Sequence, residues 1–275
     1  MVNIIWETAG DWDSAASDDG VVHESVANTD HDDGGTVKRG YSAETPLFGT
    51  DLAIYWPLQE DSGSTANDFS GAGNDGTVNG ATLGASGLLG TSAYGFDGTD
   101  DYVEIADDPS FSGLGSFTIS LWFTHQNAGS RSKIAAKGVD VGSNRNYEWE
   151  FSKLSDETIR FDVTDGTDNT EVVTSTSTAE GVWYHVGAVY DDAAGDIEIY
   201  LDGSLEDSAT PVTMQNDGGP LWLGAEADGG SGTEWLDGRI AEFRFYDAVL
   251  SGTQLQTIID VVETNGTLTT DWRSP

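Results

Sequence analysis

Residues 181–203 read GVWYHVGAVYDDAAGDIEIYLDG, and the alternation within this stretch decides the fold class. Residues 183–190 are aromatic and β-branched on both faces, whereas Ile197, Ile199 and Leu201 alternate with Glu198, Tyr200 and Asp202. The first run reads as a strand covered on both sides, the second as a strand with one wet face. Between them, residues 191–196 supply turn formers, Gly195 is free to take positive φ, and Asp202-Gly203 marks the next turn. A lone hairpin is marginal in water, so the rest of the chain has to supply sheet that covers it.

Working outward, residues 52–58 (LAIYWPL) form a short apolar strand closed by Pro57. Residues 94–105 (YGFDGTDDYVEI) read as strand, acidic turn, strand, and residues 117–123 (FTISLWF) as a strongly apolar strand. Further strands are expected at 134–137, 147–151, 159–163, 172–176, 221–224 and 236–246. Only residues 251–262 (SGTQLQTIIDVV) have a helical period, with Ser251 as cap and Leu255, Ile258 and Ile259 on one face. Many short strands, 35 glycines and almost no helix predict an all-β, two-sheet antiparallel jelly-roll sandwich. An extended N-terminal arm precedes it and a short C-terminal helix or tail follows. The expected divisions are an arm over residues 1–48, a sandwich over 49–262 and a tail over 263–275. In the arm, Trp6 and Trp12 sit among small and acidic residues without sustained period, and the segment is expected to serve attachment or oligomerisation. Its His23 and His31 lie beside acids but lack a fixed ligand spacing.

Charge excludes several function classes. Asp and Glu number 48 against 11 Lys and Arg, a formal net charge of −37 spread along the chain. Such a surface repels nucleic acid and anionic lipid. It also repels itself unless molar salt screens it, which points to a halophilic environment; the competing use for so many carboxylates is calcium. The absence of cysteine rules out disulfides, thiolate metal sites and a cysteine nucleophile. No apolar run is long enough to span a bilayer, and the opening MVNIIWETAGDWD lacks the pattern of a conventional secretion signal.

Four segments carry a family resemblance: NDFSGAGNDGTVNGA, YGFDGTDDYVEI with FTISLWF behind it, GVWYHVGAVYDDAAGDIEIYLDG, and LWLG with LDGRIAEFRFYDAVLS. In this order they resemble the LamG-like branch of the concanavalin A-like lectin and glucanase superfamily, over about residues 52–259. The resemblance implies two curved sheets packed face to face, a carrier for glycan-binding, adhesive and capsid-associated modules. It also implies calcium at a sheet rim, although Ala241 stands in Ile240-Ala241-Glu242 where the family usually has I-D-E. The arm is similar to N-terminal segments of haloarchaeal proteins and of surface proteins of haloarchaeal viruses.

Catalytic signals are weak. Glucanases of this fold use E-x-D-x-x-E, whereas Glu226, Ala227 and Asp228 run on to Ser231 where the second Glu belongs, so no catalytic residue is expected. His185 reads as a hydrogen-bonded core residue and His125 as a loop residue. Calcium is the expected cofactor, with Asp68, Asp75, Asp100 and Asp101 as ligands and Asn74 and Asp97 in the same loops. Sugar contacts are expected from Arg145, Tyr147, Trp149, Glu234 and Trp235, aromatic faces stacking and polar groups holding hydroxyls. Alternation along one strand favours a core position for Tyr147 and Trp149 over a sugar contact. The leading expectation is a non-enzymatic virion surface or structural protein of a halophilic system. It would be extracellular or on the virion, assembling as a homo-oligomer and with other surface proteins through its arm, and binding host glycans. The alternatives are a calcium-dependent adhesion or carbohydrate-binding module of a haloarchaeal surface protein and, more weakly, a glycoside hydrolase or lyase.

Overall fold

In the computed structural model the described residues are 51–140, 147–228 and 231–270. The arm expected over residues 1–48 lies outside them, with His23 and His31, and so does Arg145. The described chain opens with β1 (Leu52–Trp56), β2 (Thr65–Ala66), β3 (Gly76–Asn79), β4 (Thr82–Ser86), β5 (Ser92–Asp97) and β6 (Tyr102–Ile105). Next come β7 (Ser116–His125), β8 (Ser132–Asp140), β9 (Tyr147–Lys153), β10 (Ile159–Thr164), β11 (Asn169–Val173), β12 (Tyr184–Asp191) and β13 (Asp196–Leu201). The chain closes with β14 (Ser204–Ala209), β15 (Leu221–Leu223), β16 (Glu226–Asp228), β17 (Ser231–Thr233), β18 (Asp237–Tyr246) and the helix α1 (Gly252–Thr270).

The strands form two sheets packed face to face. One runs β14-β13-β12-β7-β18-β5-β4 with β1 added on β18; the other runs β11-β10-β9-β8-β15-β6-β3-β2. Pairing is antiparallel throughout, except where β16 joins β8 in parallel. The opening hairpin is β12–β13, in register from Val186 opposite Leu201 to Asp191 opposite Asp196. β7 covers its other edge, so β12 lies in the sheet interior, as its two apolar faces require. Between the sheets Phe117 stacks on Phe245 at 5.2 Å and lies 5.4 Å from Tyr190, while Trp149 and Phe161 approach from the opposite sheet. Burying these rings together supplies the dominant favourable term, roughly 25 cal/mol per Å² of apolar surface removed from water.

Three details depart from the expectations. Residues 94–105 are not a hairpin: β5 pairs with β18 in the first sheet and β6 with β15 in the second, so the acidic turn carries the chain across the sandwich. His125 is the last residue of β7 and fully buried, its Nε2 3.0 Å from the Thr178 hydroxyl, because the segment after Thr174 folds back over it. The helix runs past Val262 to Thr270, into the expected tail.

Helix α1 starts on a capping box. The Ser251 backbone N–H donates to Gln254 Oε1 at 3.0 Å, and the Gln254 N–H points back to Ser251 Oγ at 3.4 Å. Leu255 and Ile258 then pack on Val189, Tyr200, Tyr246 and Leu250, outside the first sheet. Gly187 allows this approach, since a Cβ there would stand 3.1 Å from Leu255 Cδ1. Beneath the helix, His185 Nε2 lies 2.8 Å from Ser120 Oγ. Burial, with Arg244 adding to it, pushes His185 down to about 3, so it is neutral at physiological pH.

Candidate functional site

The outer face of the second sheet is where polar chemistry gathers. Cross-strand pairing sets Glu171, Asp162, Glu150, Ala136, Trp222, Glu104 and Thr77 in one row across seven strands, from β11 to β3. Their sequence neighbours Val172, Phe161, Phe151, Ala135, Leu221, Val103 and Val78 face the core or pack against it. A period of two thus delivers carboxylates and an indole to one surface, with Ala136 as a low point between them.

Around Glu150 lies an open cleft of about 260 Å³, lined by Arg131, Lys133, Tyr147, Glu150, Arg160, Asp162, Asn169, Glu226 and Glu234. Its centre is Lys133, whose Nζ is 2.5 Å from Glu150, 2.7 Å from Glu226 and 3.6 Å from Glu234. Arg160 reaches Glu150, Asp162 and Glu171 at 3.3–3.4 Å, and Arg131 meets Glu234 at 3.0 Å. The Tyr147 hydroxyl donates to Asp162 at 2.6 Å. Burial works to lower Lys133, but Glu150 and Glu226 outweigh it and hold the ammonium charged. Glu150 is pushed up to about 8, first by burial and then by its hydrogen bond to Glu226 and the nearby carboxylates, which together exceed the pull of Lys133.

The loop that brings Glu226 and Glu234 to this cleft also carries Trp235 onto an aromatic shelf. Tyr102 stacks on Trp222 with centroids 4.0 Å apart and planes 13° apart, and Trp235 stands 6.1 Å from Tyr102. Trp222 is buried beneath Ala225 and Ala227, whereas Tyr102 and Trp235 are half exposed.

Of the expected sugar contacts, Tyr147, Glu234 and Trp235 therefore meet on one surface, Tyr147 and Glu234 in the cleft and Trp235 beside it. Trp149 is fully buried between the sheets and has no face to offer a ligand. The residues sequence reasoning did not single out are Arg131, Lys133, Glu150, Arg160, Asp162, Asn169, Tyr102 and Trp222; the alternation EWEF and IRFDVT around the core positions carried the signal for Glu150, Arg160 and Asp162.

The expected calcium ligands divide between two loops. The Asp68 carboxylate is consumed by its own loop, accepting N–H groups from Tyr55, Ser70, Gly73 and Asn74 and the Ser70 hydroxyl. Asp75 caps that loop by accepting the Asp68 N–H at 2.8 Å. Asp100 and Asp101 converge instead with Asp97, with one oxygen from each within 4.8 Å of the others. Gly80 lets Asp101 in: a Cβ there would collide with Asp101 Oδ1. Burial and the two neighbouring carboxylates raise Asp101, against its hydrogen bond from the Asp97 N–H. Three converging carboxylate oxygens are the kind of hard donor set a calcium ion takes, whereas the Asp68 oxygens already accept hydrogen bonds from their own loop.

Comparison with known proteins agrees with the fold. A family model described as the Concanavalin A-like lectin/glucanases superfamily (Laminin_G_3) matches residues 97–256. The rat (Rattus norvegicus) protein "Sushi, von Willebrand factor type A, EGF and pentraxin domain-containing protein 1" is 32% identical over 89 residues, which cover 30% of this chain and 2% of that protein. Among solved structures, the binding domain of Paraclostridial Mosquitocidal Protein 1 superposes with a TM-score of 0.61 at 17% identity, over 76% of this chain and 51% of that one. The ligand binding domain of botulinum neurotoxin serotype D, solved in complex with N-acetylneuraminic acid, gives 0.59 at 13% identity, over 77% and 51%. The chain spans about half the length of these solved domains.

Proposed function

The chain belongs to the concanavalin A-like lectin/glucanases superfamily, and from that membership we propose that it is a non-enzymatic surface protein whose sandwich captures glycans on the outer face of its second sheet. The observation that carries this reading is the adjacency of a polar cleft around Lys133 to half-exposed rings at Tyr102 and Trp235. Sugars present hydroxyls in the ring plane and C–H groups above it, and this surface offers partners for both. The fold is shared with binding domains, one of them solved with a sugar. The central carboxyl pair lacks the spacing of a glycosidase. Glu150 and Glu226 are hydrogen-bonded to each other on one ammonium, closer than the about 5–5.5 Å or 6.5–9.5 Å of retaining or inverting glycoside hydrolysis.

The finer assignment is a virion surface component of a halophilic system, with residues 1–48 as the element that attaches to other virion proteins or to further copies of the chain. Its support is the net charge of −37 and the resemblance of the arm. Recovery of the chain in purified particles, and an oligomer in molar potassium chloride that falls to monomer without residues 1–48, are the expected results.

The Asp97, Asp100 and Asp101 cluster favours a second reading, a calcium-dependent adhesion module. A bound ion would supply positive charge at a sheet rim and open coordination positions for ligand oxygens. Chelation then lowers both the melting temperature and glycan retention.

The glycan reading is tested by passing the full chain, in molar potassium chloride, over immobilised surface polysaccharides. Retention that is lost in Arg160→Ala supports it. Equal retention by the wild type and the variant overturns the placement of the site.

A further inference from the structure

The cleft around Lys133 has a charge arrangement that narrows what it accepts. Each of its cations already faces carboxylates: Lys133 faces Glu150, Glu226 and Glu234, Arg160 faces Glu150, Asp162 and Glu171, and Arg131 faces Glu234. Lys133 is 2% exposed and Glu150 3%, so the pairs at the centre of the cleft lie out of water, whereas Arg131 and Glu234 meet at its solvent-accessible edge. An acidic sugar that takes Lys133 or Arg160 has to draw the cation away from a buried partner and leave that partner without its counter-charge. With Glu150 protonated, the remaining lining carboxylates Asp162, Glu226 and Glu234 match the three lining cations, so the cleft holds no uncommitted positive charge for a negative group to meet. The whole chain, at −37, repels such a group at a distance.

Hydroxyl groups face no such barrier. A sugar O–H donates to carboxylate oxygens without displacing a cation, and its own oxygen accepts from guanidinium and amide N–H groups. Arg131, Arg160 and Asn169 provide those donors, and Glu226, Glu234 and Asp162 the acceptors. Beside them, Tyr102 and Trp235 present rings to the apolar side of a pyranose, backed by the buried Trp222. The row register places Trp222 two strands from Glu150, or about 10 Å, the reach of a disaccharide rather than of one ring.

We propose that this face selects uncharged, hydroxyl-rich oligosaccharides and rejects their sialylated, uronate or sulfated counterparts. The inference rests on the glycan-binding reading above and adds the ligand class to it.

The test is a printed panel of neutral hexose and N-acetylhexosamine oligosaccharides beside the same cores carrying N-acetylneuraminic acid, glucuronate or sulfate. The full chain is applied in molar potassium chloride, with Trp235→Ala and Tyr102→Ala as variants and circular dichroism melts confirming that each folds. The expected result is retention of neutral cores, weakened about tenfold or more by the acidic group and lost in both folded variants. Tighter retention of the acidic members overturns the ligand class while leaving the glycan reading standing. Retention indifferent to both aromatic variants overturns the role of the shelf. If no member of either set is retained, the glycan reading itself falls, and this inference with it.

Discussion

At neutral pH Glu150 holds a proton that a surface glutamate would have lost. Its pKa is raised from 4.5 to about 8 in the folded chain, so the native state binds more protons than the unfolded state between those values. The stabilisation is fully present below about 4.5 and disappears as pH rises through about 8. Urea midpoints of the wild type should therefore fall between pH 5 and pH 9, and Glu150→Gln, which keeps a donor toward Glu226, should flatten that slope. An unchanged slope in the variant would assign the proton elsewhere. His185 acts in the opposite direction. Lowered to about 3, it favours the fold above 6.5, and that contribution is lost as pH falls toward 3. The neighbours of Glu150 also show what a sequence hides at this scale. Tyr147 and Trp149 sit two apart on one strand and should share a face, yet Trp149 is core and Tyr147 lines the cleft. A bulge separates them: Lys137 pairs with Trp149 while Gly138 pairs with Tyr147, leaving Glu148 as the extra residue, drawn to Lys137 and Ser112. No local residue pattern announces that bulge. It arises from Lys137 and Ser112, remote in sequence, which satisfy the buried Glu148.

Among the elements, the strand-and-helix contact at Gly187 carries the most testable geometry. Leu255 sits where a Gly187 side chain would point, and with Ile258 it packs the helix on Val189, Tyr200 and Tyr246 of the sheet. Leu255→Ala should cost about 2–5 kcal/mol, as a buried leucine truncation does. Gly187→Ala alone should destabilise by crowding Leu255, whereas the double variant should be less damaged than the two single changes predict, since each relieves the other. Denaturant midpoints of the four proteins measure that coupling, and strict additivity would show that the contact is not tight. The helix, the hairpin and the long apolar strands were readable in the sequence because each rests on a local period or cap. The crossing from β5 to β6 was not, because an acidic Gly-rich turn looks the same whether it closes a hairpin or spans two sheets. The loop carrying Glu226, Glu234 and Trp235 was equally opaque: its partners, Lys133 and Tyr102, are about a hundred residues away in sequence.

For the whole molecule, the position of the few cations matters more than their number. Lys133, Lys137 and Lys153 are buried, Arg160 nearly so, and all of them lie on the adjacent strands β8, β9 and β10 with their charges committed to ion pairs. Arg244 is also buried, against Glu242 at 2.7 Å and over the Tyr55 ring at 4.2 Å. Basic residues spent in this way do nothing to dilute the exposed carboxylates, which face one another across the solvent. Their repulsion reaches about 10 Å at 0.1 M salt and about 3 Å at 1 M. Stability should therefore keep rising with potassium chloride well past the concentration at which an ordinary protein levels off. Each kcal/mol of repulsion removed should add about 2–4 °C to the melting temperature. The buried pairs are shielded from salt, so Lys133→Met should lower the curve by a constant amount without changing its slope. A melting temperature that levels off below about 0.3 M would mean that the surface charge is tolerated rather than exploited, removing the support that charge lends to a halophilic setting. If chelation at fixed ionic strength reproduces the low-salt loss, the carboxylates serve calcium at Asp97, Asp100 and Asp101, and the adhesion reading gains over the virion one.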